Sequence, residues 1–206
     1  MLAAIKTYVD SLPDQFNTIS SDRKMILDKL AAHISSRLTE KQPVNLLYVC
    51  VHNSRRSHFG QVWAQVAATY YNIRGIRTFS AGTEVSAIHP NTVGALKRAG
   101  FEASSDGKEN NPVYKLTYSK DQPEITCFSK HHEDPSIPHT GLVAIMTCGE
   151  AETECPFVPG TDYKASTTYE DPKSSDGTAR MESVYDTRCR QIATEIFYMF
   201  SQIKTN

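Results

Sequence analysis

The stretch that most constrains this chain runs from Asn45 to Tyr71. Asn45-Leu46-Leu47-Tyr48-Val49-Cys50 is an apolar run of the length and composition of a buried strand. After it, Phe59, Val62, Trp63, Val66, Ala67 and Tyr70 recur at helical spacing within the segment His58 to Tyr71. Between them lie Val51, His52, Asn53, Ser54, Arg55, Arg56 and Ser57. A strand that turns into a helix over so few residues must form a tight loop. The amides of such a loop and the helix N-terminus converge on one spot and favour an anion there. Cys50, at the strand end, is thereby placed where negative charge is stabilised.

The residue types in the loop fit that placement. An ordinary thiol titrates near 8.5, and a helix N-terminus with arginine nearby lowers such a value to roughly 3.5–7.5, so Cys50 is expected to act as a nucleophile. Arg56 carries the planar fork that matches a tetrahedral oxyanion, and Ser57 can donate a hydrogen bond to the sulfur. Cys-x5-Arg-Ser therefore reads as a cradle for phosphate or arsenate that brings its own nucleophile. The spacing alone would also suit a structural cysteine beside solvated arginines; the strand-loop-helix context favours the cradle.

Composition bounds the alternatives. The 206 residues suffice for one medium α/β domain with an appendage, and two full domains are not expected. With 22 basic and 23 acidic residues there is no bulk charge for nucleic acid or an anionic membrane, so any anion site must be local. No apolar run approaches a membrane span and Met1 to Asp10 does not resemble a signal peptide, which together suggest a cytoplasmic protein. The cysteines at 50, 127, 148, 155 and 189 are odd in number, a pattern more typical of catalytic, redox or buried thiols than of a bridged framework.

The chain in order predicts a short helix over Ala3 to Val9 and a longer one from caps at Ser21 and Asp22 through Leu38. His33 is assigned to packing or surface, and the helical pair to a cap on the sheet or a dimer surface. Ile76 to Ala81 reads as a strand, and His89-Pro90 opens a helix stopped at Gly100. Residues 103–123 read as a loop with at most a short helix around Pro112 to Leu116. Glu124 to Phe128 and Leu142 to Thr147 are then the third and fourth strands of a parallel sheet. Cys127 is expected to fill core space. His131, His132, Glu133, Asp134 and His139 form a solvated loop cluster rather than a metal site, since adjacent histidines diverge. A long helix, roughly Ala179 to Ile203, closes the chain with Cys189 inert on its apolar stripe.

Two further stretches bear on chemistry. Because parallel strands end on one side, Leu142 to Thr147 delivers Cys148 to the edge that carries Cys50. Cys148 and Cys155, with six residues between them and Pro156 following, could close a disulfide, serve half a zinc site, or be structural. Asp171-Pro172 can hold a carboxyl group over a pocket, or be a plain turn.

Together these pieces resemble the low-molecular-weight protein tyrosine phosphatases and the thioredoxin-coupled arsenate reductases built on the same fold. The likeness lies in Cys50 to Ser57, Ser80-Ala81-Gly82-Thr83, His89-Pro90 and Asp171-Pro172, and spans about Val44 to Lys204. It implies a four-stranded parallel sheet flanked by helices as an α/β catalytic domain (44–206), with residues 1–43 an extra N-terminal helical segment. Cys148 and Cys155-Pro156 match the reductase branch, and Lys173 stands where phosphatases usually place an aromatic residue.

By that resemblance Cys50 attacks arsenate, Arg56 and the amides of Val51 to Arg55 bind its oxygens, and Asp171 protonates the departing oxygen. Cys148 then attacks Cys50, and Cys155 attacks Cys148, leaving a disulfide for thioredoxin. No tightly bound cofactor is implied. A monovalent cation near Asn53 and Ser80 is put in doubt by Gln61, where the reductases commonly have Glu, and Arg55 stands where relatives often have Cys or a small residue. A phosphatase using the same loop is the alternative, and a redox-sensing oxyanion module a third.

Overall fold

The computed structural model describes residues 1–154 and 158–205. Its element order begins with helix α1 (Ala3–Asp10), a 3-10 turn (Pro13–Thr18) and helix α2 (Ser21–Thr39). Ser20 caps α2, its Oγ accepting from the Arg23 amide at 3.3 Å, one residue earlier than the caps expected. Strand β1 (Val44–Cys50), helix α3 (Arg56–Tyr70), strand β2 (Ile76–Gly82) and helix α4 (Pro90–Arg98) follow. Pro90 occupies the first turn of α4, and Gly100, at φ +110°, takes the left-handed conformation that stops it.

Next come three short strands, β3 (Glu102–Ser105), β4 (Tyr114–Thr117) and β5 (Ile125–Cys127), then β6 (Leu142–Met146), α5 (Gly149–Glu154), β7 (Thr161–Ser166), a 3-10 turn (Pro172–Ser175) and α6 (Met181–Ser201). The main sheet has four strands in the order β2-β1-β6-β7, every pairing parallel. This is the α/β architecture with a four-stranded parallel sheet and additional N-terminal helices that the sequence implied.

Two strand assignments differ from expectation. β5 does not belong to the parallel sheet. It pairs antiparallel with β4, which pairs antiparallel with β3, in a separate three-stranded sheet over residues read as a loop. The reason is visible in burial: Ile125 and Cys127 are buried and Thr126 between them is exposed, the period-2 pattern of a sheet with one wet face. The fourth parallel strand is instead β7, whose sequence Thr-Asp-Tyr-Lys-Ala-Ser carries the polar side chains of a half-exposed edge strand.

Both faces of β1 are covered, so all seven of its residues are buried. On one face lies the larger core, where Trp63 of α3 sits at 0 % exposure. Its ring stacks on Tyr8 at 5.1 Å and meets Phe101 edge-on at 5.2 Å, and its Nε1 donates to the Cys189 sulfur at 3.2 Å. Cys127 and Cys189 are fully enclosed, and burial pushes both thiols up to about 12, which suits inert packing. Ile5, Val9, Leu27, Leu30 and Ile34 from the N-terminal helices enter the same buried cluster as Trp63 and Phe197. On the other face, Leu47, Val49 and Cys50 pack with Ala144, Met146, Cys148 and Ile137.

Candidate active site

The anion loop begins where β1 ends. Cys50 is paired in register with Gly82 of β2, and a side chain on Gly82 would meet Val51 O at 2.4 Å and Asn53 N at 2.8 Å. Only glycine lets the loop backbone cross the end of β2 so closely. Within the loop Asn53 adopts a positive φ of 43°, a conformation asparagine tolerates better than most residues.

Asn53 is fully buried and its side chain sets the polarity of the nucleophile's surroundings. Its Oδ1 accepts the Lys130 amide N–H at 2.9 Å, which turns Nδ2 toward Ser57 Oγ at 2.8 Å. Ser57 Oγ lies 3.1 Å from the Cys50 sulfur, and with that N–H on its oxygen the hydroxyl has its own proton to offer a thiolate there. Ser57 lies in the first turn of α3, so the helix N-terminus adds its dipole to the same spot.

Arg56 is 6 % exposed. Its Nη1 donates to Tyr169 O at 2.9 Å and its Nη2 to Asp171 Oδ2 at 2.6 Å, while Nε is buried with no partner among the described residues. Asp171 caps the 3-10 turn, Oδ1 accepting the Lys173 amide at 3.0 Å, and its carboxyl group is 34 % exposed. The turn chemistry of Asp-Pro thus holds this carboxylate against the arginine fork. Arg56, Asp171 and Cys50 line one cavity of about 500 Å³, together with Val51, His52, Ser54, Arg55, Glu150, Lys173 and Ser174.

Arg55 contributes differently from a simple gain of positive charge. Its Nε donates to the Tyr185 hydroxyl at 2.6 Å and its Nη2 to Asp176 at 3.0 Å. Asp176 also accepts from Tyr185 at 2.8 Å and faces His89 Nε2 at 3.6 Å. Burial alone would raise the Asp176 carboxyl, but the Tyr185 hydroxyl, His89 and Arg55 outweigh it and hold the carboxylate below its ordinary value. Asp176 closes the 3-10 turn that Asp171 opens. The clasp therefore ties the acid-bearing turn to the anion loop, α4 and α6. Sequence reading found none of it: Tyr185 sits on the apolar stripe of α6, and Asp176-Gly177 signals only a turn.

Cys148 stands two residues beyond Met146, which is in register with Val49. Thr147 fixes the strand ends, its amide and Oγ1 both donating to Val49 O at 2.7 Å. The Cys148 thiol is 2 % exposed and accepts the Ala151 amide at 3.4 Å. Burial is the main cause that raises its pKa; Cys50 adds to the rise, while Arg56 and the Val51 amide oppose it. Two thiols and the arginine thus share one electrostatic environment. Cys155 lies outside the described residues.

Asn53 and Ser80, the residues considered for a monovalent cation, are engaged with protein partners. Ser80 Oγ is 2.6 Å from Gln61 Oε1 and 3.1 Å from His58 Nδ1. His58 Nε2 donates to Asn53 O at 2.9 Å, since a carbonyl can only accept. Among the described residues no group of three or more His, Cys, Asp or Glu side chains could hold a metal ion. His131 and His132 do not diverge as expected; their rings lie 4.1 Å apart with an interplanar angle of 34°.

His58 yields a pH prediction. Full burial, reinforced by the Lys130 charge, pulls its pKa from 6.5 to about 3. Between those values the unfolded chain binds a proton that the folded chain refuses, so stability falls as pH drops below 6.5. This residue's share is up to about 1.4 kcal/mol per pH unit. Urea melts at pH 6.5 and pH 5 should show wild type losing about 1.6 kcal/mol more than His58→Gln over that interval. Parallel losses would show that His58 does not carry the effect.

The fold is that of the low-molecular-weight protein tyrosine phosphatases. A phosphatase of this class from T. tengcongensis superposes with a TM-score of 0.52 at 15 % identity, covering 78 % of this chain and 99 % of that one. An arsenate reductase solved in its oxidized state gives 0.51 at 19 % identity, covering 78 % and 98 %. At these identities the structures share the fold. In sequence, the chain is 24 % identical to an arsenate reductase of Bacillus licheniformis over 158 residues, 76 % of this chain and 94 % of the relative. It is 26 % identical to an arsenate reductase of Staphylococcus aureus strain Newman over 131 residues, 62 % of this chain and 77 % of the relative. No family model matches the chain. No helix among the described residues is long and apolar enough to cross a membrane.

Proposed function

We propose that the protein reduces arsenate to arsenite through a three-cysteine relay and is recharged by a thioredoxin-like dithiol. The observation that carries this reading is the burial of a second thiol, Cys148, in the same packed cluster as Cys50, the nucleophile of an anion loop. Simple ester hydrolysis has no use for that thiol. The curated relatives named arsenate reductase support the same choice.

The chemistry follows from the site. The oxyanion enters the loop and displaces the Asp171 carboxylate from the fork, giving Arg56 Nη2 and its unpartnered Nε acceptor oxygens of the substrate. Cys50 attacks arsenic, and an arsenate hydroxyl leaves as water on a proton that the displaced Asp171 carboxylate has taken up from solvent. Cys148 as thiolate attacks the Cys50 sulfur. A sulfur–sulfur bond forms, the sulfur–arsenic bond breaks, and its electron pair stays on arsenic, which leaves as arsenite. Cys155 then attacks Cys148, freeing Cys50. The resulting Cys148–Cys155 disulfide takes two electrons from the dithiol partner.

The cavity also argues about substrate size. Apart from the reacting groups, the described residues of its wall are Val51, His52, Ser54, Arg55, Glu150, Lys173 and Ser174, among which there is no Phe, Tyr or Trp ring to stack on a phosphotyrosine. A phosphatase acting on small phosphate esters is the competing reading, favoured by the sufficiency of Cys50, Arg56 and Asp171 for a Cys-phosphate intermediate.

Arsenate given to the Cys155→Ser variant tests the relay directly. With the last thiol gone, a Cys50–Cys148 disulfide should accumulate stoichiometrically with arsenite and be found by peptide mass mapping. Failure to form that bond in the presence of bound arsenate would contradict the relay.

A further inference from the structure

We propose that Arg23 of α2 and Glu195 of α6 are positioning residues for Arg56, so that the N-terminal helices form the outer support of the oxyanion site; the proposal deepens the function given above and rests on it. The strap that runs from β7 to Asp171 is pinned on its inner side. Thr167 N donates to Met146 O at 2.9 Å, Tyr169 N donates to Thr147 O at 3.1 Å, and Tyr169 O accepts Arg56 Nη1 at 2.9 Å.

Its outer side is held by the two charged residues. Arg23 Nη2 donates to Thr168 O at 2.6 Å, and its guanidinium lies 5.2 Å from the centroid of the Tyr169 ring. The Tyr169 hydroxyl donates to Glu195 Oε2 at 2.8 Å, the same oxygen that faces Arg23 Nε at 3.4 Å. Gln191 Nε2 satisfies the other carboxylate oxygen at 3.3 Å. Glu195 is 5 % exposed and Tyr169 7 %, so this is a desolvated network whose partners depend on one another.

The network is connected in a way that stability alone does not require. Arg23 holds the peptide before Tyr169, and Glu195 holds the Tyr169 hydroxyl, so both converge on the residue whose own carbonyl orients the substrate-binding fork, two residues before Asp171. A fork must be held to about 0.5 Å to bind both oxygens of an anion, and among the described residues this carbonyl and Asp171 are the acceptors that hold Arg56. Once an oxyanion displaces Asp171, the Tyr169 carbonyl is the remaining anchor. Removing Arg23 takes the ion-pair partner from the buried Glu195 carboxylate, and Tyr169 shifts with it. A cavity of about 610 Å³ lined by Gln15, Ser20, Arg23, Arg190 and Glu195 lies beside the pair, so a shorter side chain at 23 meets no tight packing.

Calorimetric titration of inorganic phosphate into the full chain tests this without relying on turnover. Arg23→Gln and Glu195→Gln are each expected to weaken phosphate binding about tenfold, with Tyr169→Phe intermediate and the arsenate KM rising in parallel. A purely structural role would lower the melting temperature while leaving phosphate affinity within twofold, and that result overturns the proposal. Should Arg23→Gln fail to fold, Glu195→Gln or Tyr169→Phe decides by the same twofold limit. Wild type that binds phosphate but reduces no arsenate would overturn the reductase function, and the titration would still decide the role of Arg23 and Glu195.

Discussion

Cys148→Ser is expected to lower arsenite production by about three orders of magnitude or more while leaving phosphate affinity within about twofold of wild type. The expected size follows from chemistry: a serine hydroxyl cannot attack a sulfur and take up the electron balance, so the covalent Cys50–arsenic adduct has no internal route to arsenite. The preserved binding follows from geometry. The Cys148 sulfur is held by the Ala151 amide, and β6 is fixed by Thr147 on Val49, so the anion loop does not depend on the thiol for its shape. Arsenite measured in single turnover, with phosphate titrated in the same preparation, checks both halves. Retained arsenite production would remove Cys148 from the relay, and unchanged aryl phosphate hydrolysis in a variant unable to reduce arsenate would separate the two chemistries at one loop.

Arg56→Lys is expected to weaken phosphate binding about 10- to 100-fold, an effect of roughly 1.5–3 kcal/mol for losing charge-assisted bonds. Charge is kept, so the loss measures the fork. Arg56 has to keep Tyr169 O on one nitrogen and, once Asp171 is displaced, offer two further nitrogens of the same plane to two oxygens of the oxyanion. Lysine offers a single nitrogen at the end of a flexible stem and cannot reach all three. Affinity within twofold of wild type in a calorimetric titration would mean that the loop amides alone bind the anion.

How much of this was legible depends on the range over which the information is encoded. Cys50, Arg56 and Ser57 could be placed because strand, loop and helix are contiguous, and the arrangement is local. Cys148 could be brought near them because strands of a parallel sheet end on one side, a rule of topology rather than of contact. Strand β7 escaped because an edge strand need not be apolar, and the alternation of Asp162 and Lys164 with Tyr163 and Ala165 is too short and too polar to stand out. The sheet β3-β4-β5 escaped because its strands are only three or four residues long and half exposed.

The supporting networks escaped for another reason. Arg55 meets Tyr185 across 130 positions, and Arg23 meets Thr168 across 145. Nothing at either end of such a pair announces the other. An arginine near a helix start and a glutamate on a closing helix look like surface charge until the fold buries them together.

The most direct test of the central claim is a coupled assay of the purified protein with arsenate, thioredoxin, thioredoxin reductase and NADPH, run beside hydrolysis of an aryl phosphate. The account predicts NADPH oxidation that requires arsenate and disappears in Cys50→Ser, Cys148→Ser and Cys155→Ser. Brisk phosphate release without arsenate-dependent NADPH oxidation, and indifferent to Cys148 and Cys155, would contradict it.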